Sequence, residues 1–176
     1  MAMNLSFFES LSIEQALDHL EGFINTESLA FEAMRPAAVQ ANVVVDFSVA
    51  SLPTFFRWML GNIEIIRIPV PDSEPDWIRD FHKDGLIELT DESKYLLLRT
   101  AYYLGECFVR TNKGLSWGIG NLDSVEKNMP VVAGFRFKME MAPMMICENV
   151  FSGILGDGKP DTVIETMLSR WVGFMP

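Results

Sequence analysis

Apolar side chains recur as Ile13, Ala16, Leu17, Leu20, Phe23 and Ile24, the three-and-four spacing of a helix with one buried face. Ser12 and Gln15 supply a capping box at its start, and Leu11 with Ala16 a hydrophobic staple. The pattern predicts a helix over 13–24 and a second, short helix that begins after Thr26 and stops before Pro36. Proline lacks the amide donor and clashes with the preceding turn. The β-branched run at 43–47 reads as a strand or an extended lead-in. Ser51 is then placed to cap a helix reaching Leu60, with Pro53 in its first turn and Gly61 at its stop. Residues 63–70 fit either a helix tail or an extended segment, closed by Pro69 and Pro71. A helix starting near Ser73 and Pro75 is expected to bury Trp77, Ile78 and Phe81 and to end at Gly85.

Thr90 opens the longest predicted helix, 91–110. Leu97, Leu98, Ala101, Leu104 and Phe108, widened by Tyr95, Tyr102 and Val109, make it apolar round most of its circumference. That marks it as the central helix. One narrow polar stripe remains, Arg99, Tyr103, Glu106 and Arg110, spaced by four, three and four. Gly105 lies mid-helix at a cost of about 1 kcal/mol relative to alanine, which points to close approach by another element.

After Lys113 and Gly114 the period changes. Residues 115–119, carrying Trp117, read as a strand. So do 131–139, where Phe135, Phe137 and Met139 alternate with Arg136, Lys138 and Glu140. Two helices close the chain, 143–155 and 160–172, joined by Gly156-Asp157-Gly158-Lys159. Their inward faces are Met144, Cys147, Phe151 and Ile154, then Val163, Ile164, Met167, Leu168 and Trp171. The expected fold class is α+β, mostly helical, with about six helices packed on a small antiparallel sheet in a single domain over 1–176.

Composition narrows the functional classes. The chain has 176 residues, 49% of them hydrophobic, with a net charge of −10 and a pI near 4.6. A polyanionic surface repels phosphate backbones, so nucleic acid is disfavoured as a partner. The same charge attracts a basic protein and speeds the encounter with it. Trp58, Trp77 and Trp171 are candidate anchor residues for such an interface wherever they are exposed. The N-terminus has no basic residue and meets Glu9 early, and no uncharged apolar run approaches the length of a membrane helix. A cytoplasmic protein is expected, with no membrane contact and with homo-oligomerisation open, given the high apolar fraction.

The chemistry-bearing residues are sparse. His19, on the polar side of its helix, and His82 read as surface histidines, and no pair of histidines or cysteines has a zinc-ligand spacing. Cys107 and Cys147 sit in apolar helical stretches and read as reduced core thiols. A nucleophile elbow is missing, Pro160 spoils the likeness of 156–159 to a phosphate loop, and Gly118-Ile119-Gly120 lacks the rest of a dinucleotide fingerprint. No catalytic residue, metal site or cofactor is therefore assigned. Asp46 and Glu106 stand out because each is set among apolar neighbours, where burial raises a carboxyl pKa unless a charge or donor compensates. Glu106 has Arg110 at i+4, so it is either an ion pair anchoring the central helix or a binding carboxylate. Asp46, Ser48 and Ser51 are spaced to bond free amides at a helix start. The candidate binding residues are Asp46, Arg99, Tyr103, Glu106, Arg110 and Trp117.

Two of these segments carry a resemblance. Asp46-Phe47-Ser48-Val49-Ala50-Ser51-Leu52 is similar to a D-[aromatic]-S-x-x-S-L opening found in small uncharacterised bacterial proteins. Tyr102-Tyr103-Leu104-Gly105-Glu106-Cys107-Phe108-Val109-Arg110, followed by Trp117, resembles their Y-L-G-E … R … W helix-to-strand segment, and residues 130–134 and 154–158 fit the same layout. The likeness spans roughly residues 40–172; a fuller N-terminal helical region and Cys107 depart from it. It implies an immunity or accessory protein of a bacterial toxin system; the acidic charge suits a basic toxin or effector, and the missing catalytic set fits neutralisation by occlusion without catalysis. An enzyme or small-ligand binder with a pocket of Glu106, Arg110 and Asp46 is the alternative reading, and a homo-oligomeric structural or regulatory subunit a third.

Overall fold

In the computed structural model, residues 5–73, 75–81, 83 and 85–176 are described. The capping box forms as expected, with the Gln15 amide donating to Ser12 Oγ at 3.2 Å and the Ser12 amide donating to Gln15 Oε1 at 2.9 Å. It starts a single helix, α2 (Ile13–Gln40), preceded by the short α1 (Leu5–Ser10). The predicted break at 24–26 and the stop before Pro36 do not occur. Ala16, Leu20, Phe23, Glu27, Phe31 and Ala38 are all buried along one stripe, which holds the helix to its neighbours through Pro36. Proline at 36 forfeits one i→i−4 bond near the C-terminal end, and burial of Phe31 and Ala38 on either side offsets that loss.

Residues 43–47 form an extended and turning lead-in rather than a strand. The helix cap is Ser48 instead of Ser51: its Oγ accepts from the Ser51 amide at 3.2 Å, opening a 3-10 turn (Val49–Ser51) that runs into α3 (Leu52–Leu60). Next come β1 (Ile65–Ile68), α4 (Asp76–Phe81) and β2 (Leu86–Leu89). β1 and β2 pair antiparallel with Ile65 opposite Leu89, so residues 63–70 resolve to the extended alternative. Trp77 was expected inside; it is 71% exposed and Ile78 is half-buried. α4 is one short stretch in the connector of a two-stranded ribbon, and its Trp77 is left in solvent there. The expectations for His82 and for the side chain of Phe81 lie outside the described residues.

Thr90 caps α5 (Asp91–Thr111), which packs on α2, α3 and α6 and forms the centre of the molecule. Leu97, Ala101, Leu104, Cys107 and Phe108 are buried along it. β3 (Ser116–Ile119) then pairs antiparallel with β4 (Pro130–Ala133), Trp117 lying opposite Val132. β4 ends four residues in, short of the predicted 131–139. Gly134, at φ 103°, packs where a side chain would overlap the Gly114 carbonyl, and it turns the chain into a 3-10 segment (Arg136–Lys138). Phe137 is consequently 84% exposed instead of facing the core with Phe135. The chain closes with α6 (Pro143–Leu155) and α7 (Val163–Gly173). The fold is α+β, with seven α-helices and two separate two-stranded ribbons among the described residues where one small sheet was expected. None of those helices is long and apolar enough to cross a membrane.

Candidate functional site

The polar stripe on α5 divides into two environments. Tyr103 is fully buried, with its ring stacked on Phe31 at 4.8 Å and packed against Phe55 at 4.3 Å and Phe47 at 5.1 Å. Its hydroxyl lies 2.6 Å from Ser51 Oγ and accepts the Phe47 amide at 3.3 Å. Ser51 Oγ donates to the Ser48 carbonyl, so the tyrosine supplies the proton to Ser51. Burial pushes the phenol up to about 12. The segment 47–51 is thus fastened to the middle of α5 by one hydroxyl. Arg110, exposed at the last turn, lies over the Phe47 ring at 3.6 Å from its centroid and closes the other side of that loop.

Glu106 is nearly buried, with 12% of its side chain exposed, and both oxygens are engaged. Arg110 Nε donates to Oε2 at 2.7 Å, and Trp117 Nε1 donates to Oε1 at 2.8 Å. Gly105 makes the second bond possible. A Cβ there would overlap the Trp117 indole, so the ring lies against the helix backbone and its N–H reaches the next residue. The close approach expected from a mid-helix glycine is therefore Trp117. Asp46 was expected to be buried among apolar neighbours; it is exposed. Its Oδ1 accepts the Ser48 amide at 2.9 Å, an Asx turn, and that bonding holds its carboxyl below the ordinary value. Arg99 is half-buried, and its Nε makes no hydrogen bond among the described residues.

Asp46, Tyr103, Glu106, Arg110 and Trp117 therefore lie along one lock between α5, the 46–51 loop and β3. Arg99 stands apart, one turn below, where its charge acts on a residue that sequence reasoning missed. That residue is Glu27. It is 5% exposed in the middle of α2, and its Oε2 is buried without a hydrogen-bond donor among the described residues. Burial pushes its carboxyl above the ordinary value, while the charge of Arg99 pulls the other way. The signal was present: Ala16, Leu20, Phe23, Glu27 and Phe31 succeed one another by four, three, four and four, with a carboxylate where an apolar side chain belongs.

Glu27 borders a half-open cavity of about 710 Å³. Phe8, Phe23, Leu89, Leu97 and Met144 wall it, bringing together α1, α2, β2, α5 and α6. His19, expected on the surface, stands at its edge with its ring against Phe7 at 5.5 Å and Phe8 at 5.3 Å, and burial lowers its pKa. A second cavity, about 450 Å³, lies between α6 and α7 and includes Lys159 and Arg170. Neither cavity is lined by any of the six residues singled out from the sequence. Cys107 and Cys147 are free, buried thiols, both pushed well above the ordinary range by burial. Among the described residues, no three His, Cys, Asp or Glu side chains group closely enough to hold a metal ion.

No family model, curated protein or solved structure matches the chain.

Proposed function

We propose that this chain is a non-enzymatic binding protein of the immunity type, which neutralises a basic toxin or effector by covering it. The observation that carries the reading is the distribution of charge. Of the net −10, −6 lies in residues 1–34, which hold six carboxylates and no lysine or arginine. Five of the six are exposed on α1 and α2: Glu9, Glu14, Asp18, Glu21 and Glu32. Exposed Ile13, Leu17 and Leu29 lie among them. Like-signed charge over residues 13–34 of α2, roughly 33 Å of helix ahead of Arg35, which pairs with Glu32 at 3.2 Å, steers a basic partner into encounter, and interspersed apolar side chains supply the contact area that charge alone does not. The paired state of Glu106 fits this reading, because its bonds to Arg110 and Trp117 make it part of the scaffold between α5 and β3.

The test is co-expression with the product of the adjacent gene, scoring rescue from toxicity and a co-purified complex. Rescue is expected from the wild-type chain and is expected to be lost in the charge-reversed variant E9K/E14K/E21K, whose substitutions are all exposed. Absence of both complex and rescue sinks the proposal. Light scattering at micromolar concentration addresses the oligomeric alternative, for which a clean monomer is the negative result.

A further inference from the structure

We propose that the cavity between α1, α2, β2, α5 and α6 is a binding site for a small apolar amine, a hydrocarbon or aromatic body carrying one positively charged nitrogen. This site is distinct in chemistry from the protein-binding surface proposed above and stands or falls without it. The volume, about 710 Å³, lies within the span of pockets that enclose small organic molecules, and its walls are predominantly aliphatic and aromatic. Water there gains little, whereas an apolar body gains the full transfer free energy of its buried surface.

The head group is decided by the polar residues at the rim. Among the described lining residues, Asp18 and Glu27 are carboxylates, against one lysine, Lys94, whose ammonium is already held by Asp91 at 2.7 Å. His19 stays neutral more readily than a free imidazole, because burial disfavours its charged form. The field in the cavity is therefore negative. Glu27 gives it a focus: a side chain 5% exposed, bordering the cavity, with Oε2 buried and without a donor. A buried carboxylate oxygen left without a donor costs a large part of its hydration, and an ammonium returns both the hydrogen bond and the counter-charge. Arg99 acts on Glu27 through its charge, but among the described residues no donor reaches that oxygen, so the acceptor is left unpaired.

Titration calorimetry on the full chain, with three probes sharing one body, tests this: naphthylmethylammonium, naphthylmethanol and naphthylacetate. The ammonium is expected to bind about tenfold more tightly than the alcohol, the scale of one charge-assisted bond, and the acid more weakly than either. Glu27→Gln is expected to remove the ammonium's advantage over the alcohol while leaving the binding of the alcohol itself in place. Gly22 also borders the cavity, and a Cβ there meets nothing within 4 Å, so Gly22→Phe brings a bulky side chain to the cavity border from an unobstructed Cβ, and its melting curve checks that the variant folds. All three probes are expected to lose affinity in that variant. Equal affinity for the three head groups, an ammonium preference that survives Glu27→Gln, binding untouched by Gly22→Phe, or no binding at all each overturns the assignment.

Discussion

Two carboxylates on neighbouring helices, Glu106 and Glu27, are both largely withdrawn from solvent and have opposite electrostatic fates. Glu106 receives a donor on each oxygen, from Arg110 and from Trp117. Glu27 is buried more deeply and has an oxygen with none among the described residues. Only a short path separates them: Trp117, which bonds Glu106, also meets the edge of Phe23 at 5.8 Å, and Phe23 walls the cavity that Glu27 borders. The difference teaches where to look for function. A buried charge with its partners in place has been made part of the scaffold, while one without them is maintained at a cost that stability alone does not explain.

The largest effect is expected from breaking the Glu106 side at its base. Gly105→Ala places a methyl inside the Trp117 indole and displaces the ring, so packing and the bond to Glu106 are lost together. Destabilisation of roughly 3 kcal/mol is expected, read from the denaturant midpoint. A shift within error of zero would show that the ring is not held against α5, and the contrast with Glu27 would lose its structural half.

Trp117→Phe removes the indole N–H and keeps most of the ring. It is expected to cost about 1–2 kcal/mol, because Oε1 of Glu106 is then left without its donor. A double-mutant cycle with Glu106→Gln sharpens the comparison. Coupling of about 1 kcal/mol is expected if the two act as one unit, and simple additivity would mean that Glu106 is as solitary as Glu27.

The same contrast explains how far the two sites were legible. Glu106 lies in a helix whose start, stop and phase are all written locally, by Thr90, by the change of period after Lys113, and by an apolar pattern broken only along one stripe. A mid-helix glycine announced a close approach, although not by which element. Glu27 escaped because a proline at 36 and the polar run Asn25-Thr26 suggested two helices, and across that supposed break its phase had no meaning. Burial by distant elements overrode the local stop signal, and those contacts are invisible from spacing alone. The same limit explains 131–139, where alternation promised a strand, yet Gly134 and a left-handed Phe137 redirected the chain. Tyr103 was read as part of a polar stripe, whereas it is completely buried, because the 46–51 loop folds back over it.

A smaller effect, of opposite sign, is expected at Glu27. Its folded pKa is raised above the unfolded value, so its protonated form is favoured in the native state. The stability it contributes is full below the ordinary carboxylate value near 4.5 and is lost as pH rises through the folded pKa. Glu27→Gln removes that loss. The variant is expected to be about 1 kcal/mol more stable than wild type at pH 8, with the two converging near pH 4, in paired denaturation curves. A variant less stable at pH 8 by as much as at pH 4 would mean that Glu27 is fully partnered, and the distinction from Glu106 would collapse.

Asp46 provides the smallest test and the mirror image in pH. It is exposed, and the Ser48 side chain and amide lower its pKa, so its contribution has the reverse sign. It is present above the unfolded value of 3.8 and lost as pH falls through the folded one. Asparagine keeps the Oδ1 acceptor of the Asx turn and removes only the charge, whereas alanine removes both. Asp46→Asn is therefore expected to differ slightly from wild type at neutral pH and to merge with it once the pH has fallen below the folded pKa, while Asp46→Ala stays separate throughout. Matched melting curves of the three proteins across that range read both differences. A wild-type curve that gains stability at acid pH relative to Asp46→Asn would place Asp46 with Glu27, among carboxylates that the fold keeps against its own preference, and would reopen the 46–51 loop as a binding element.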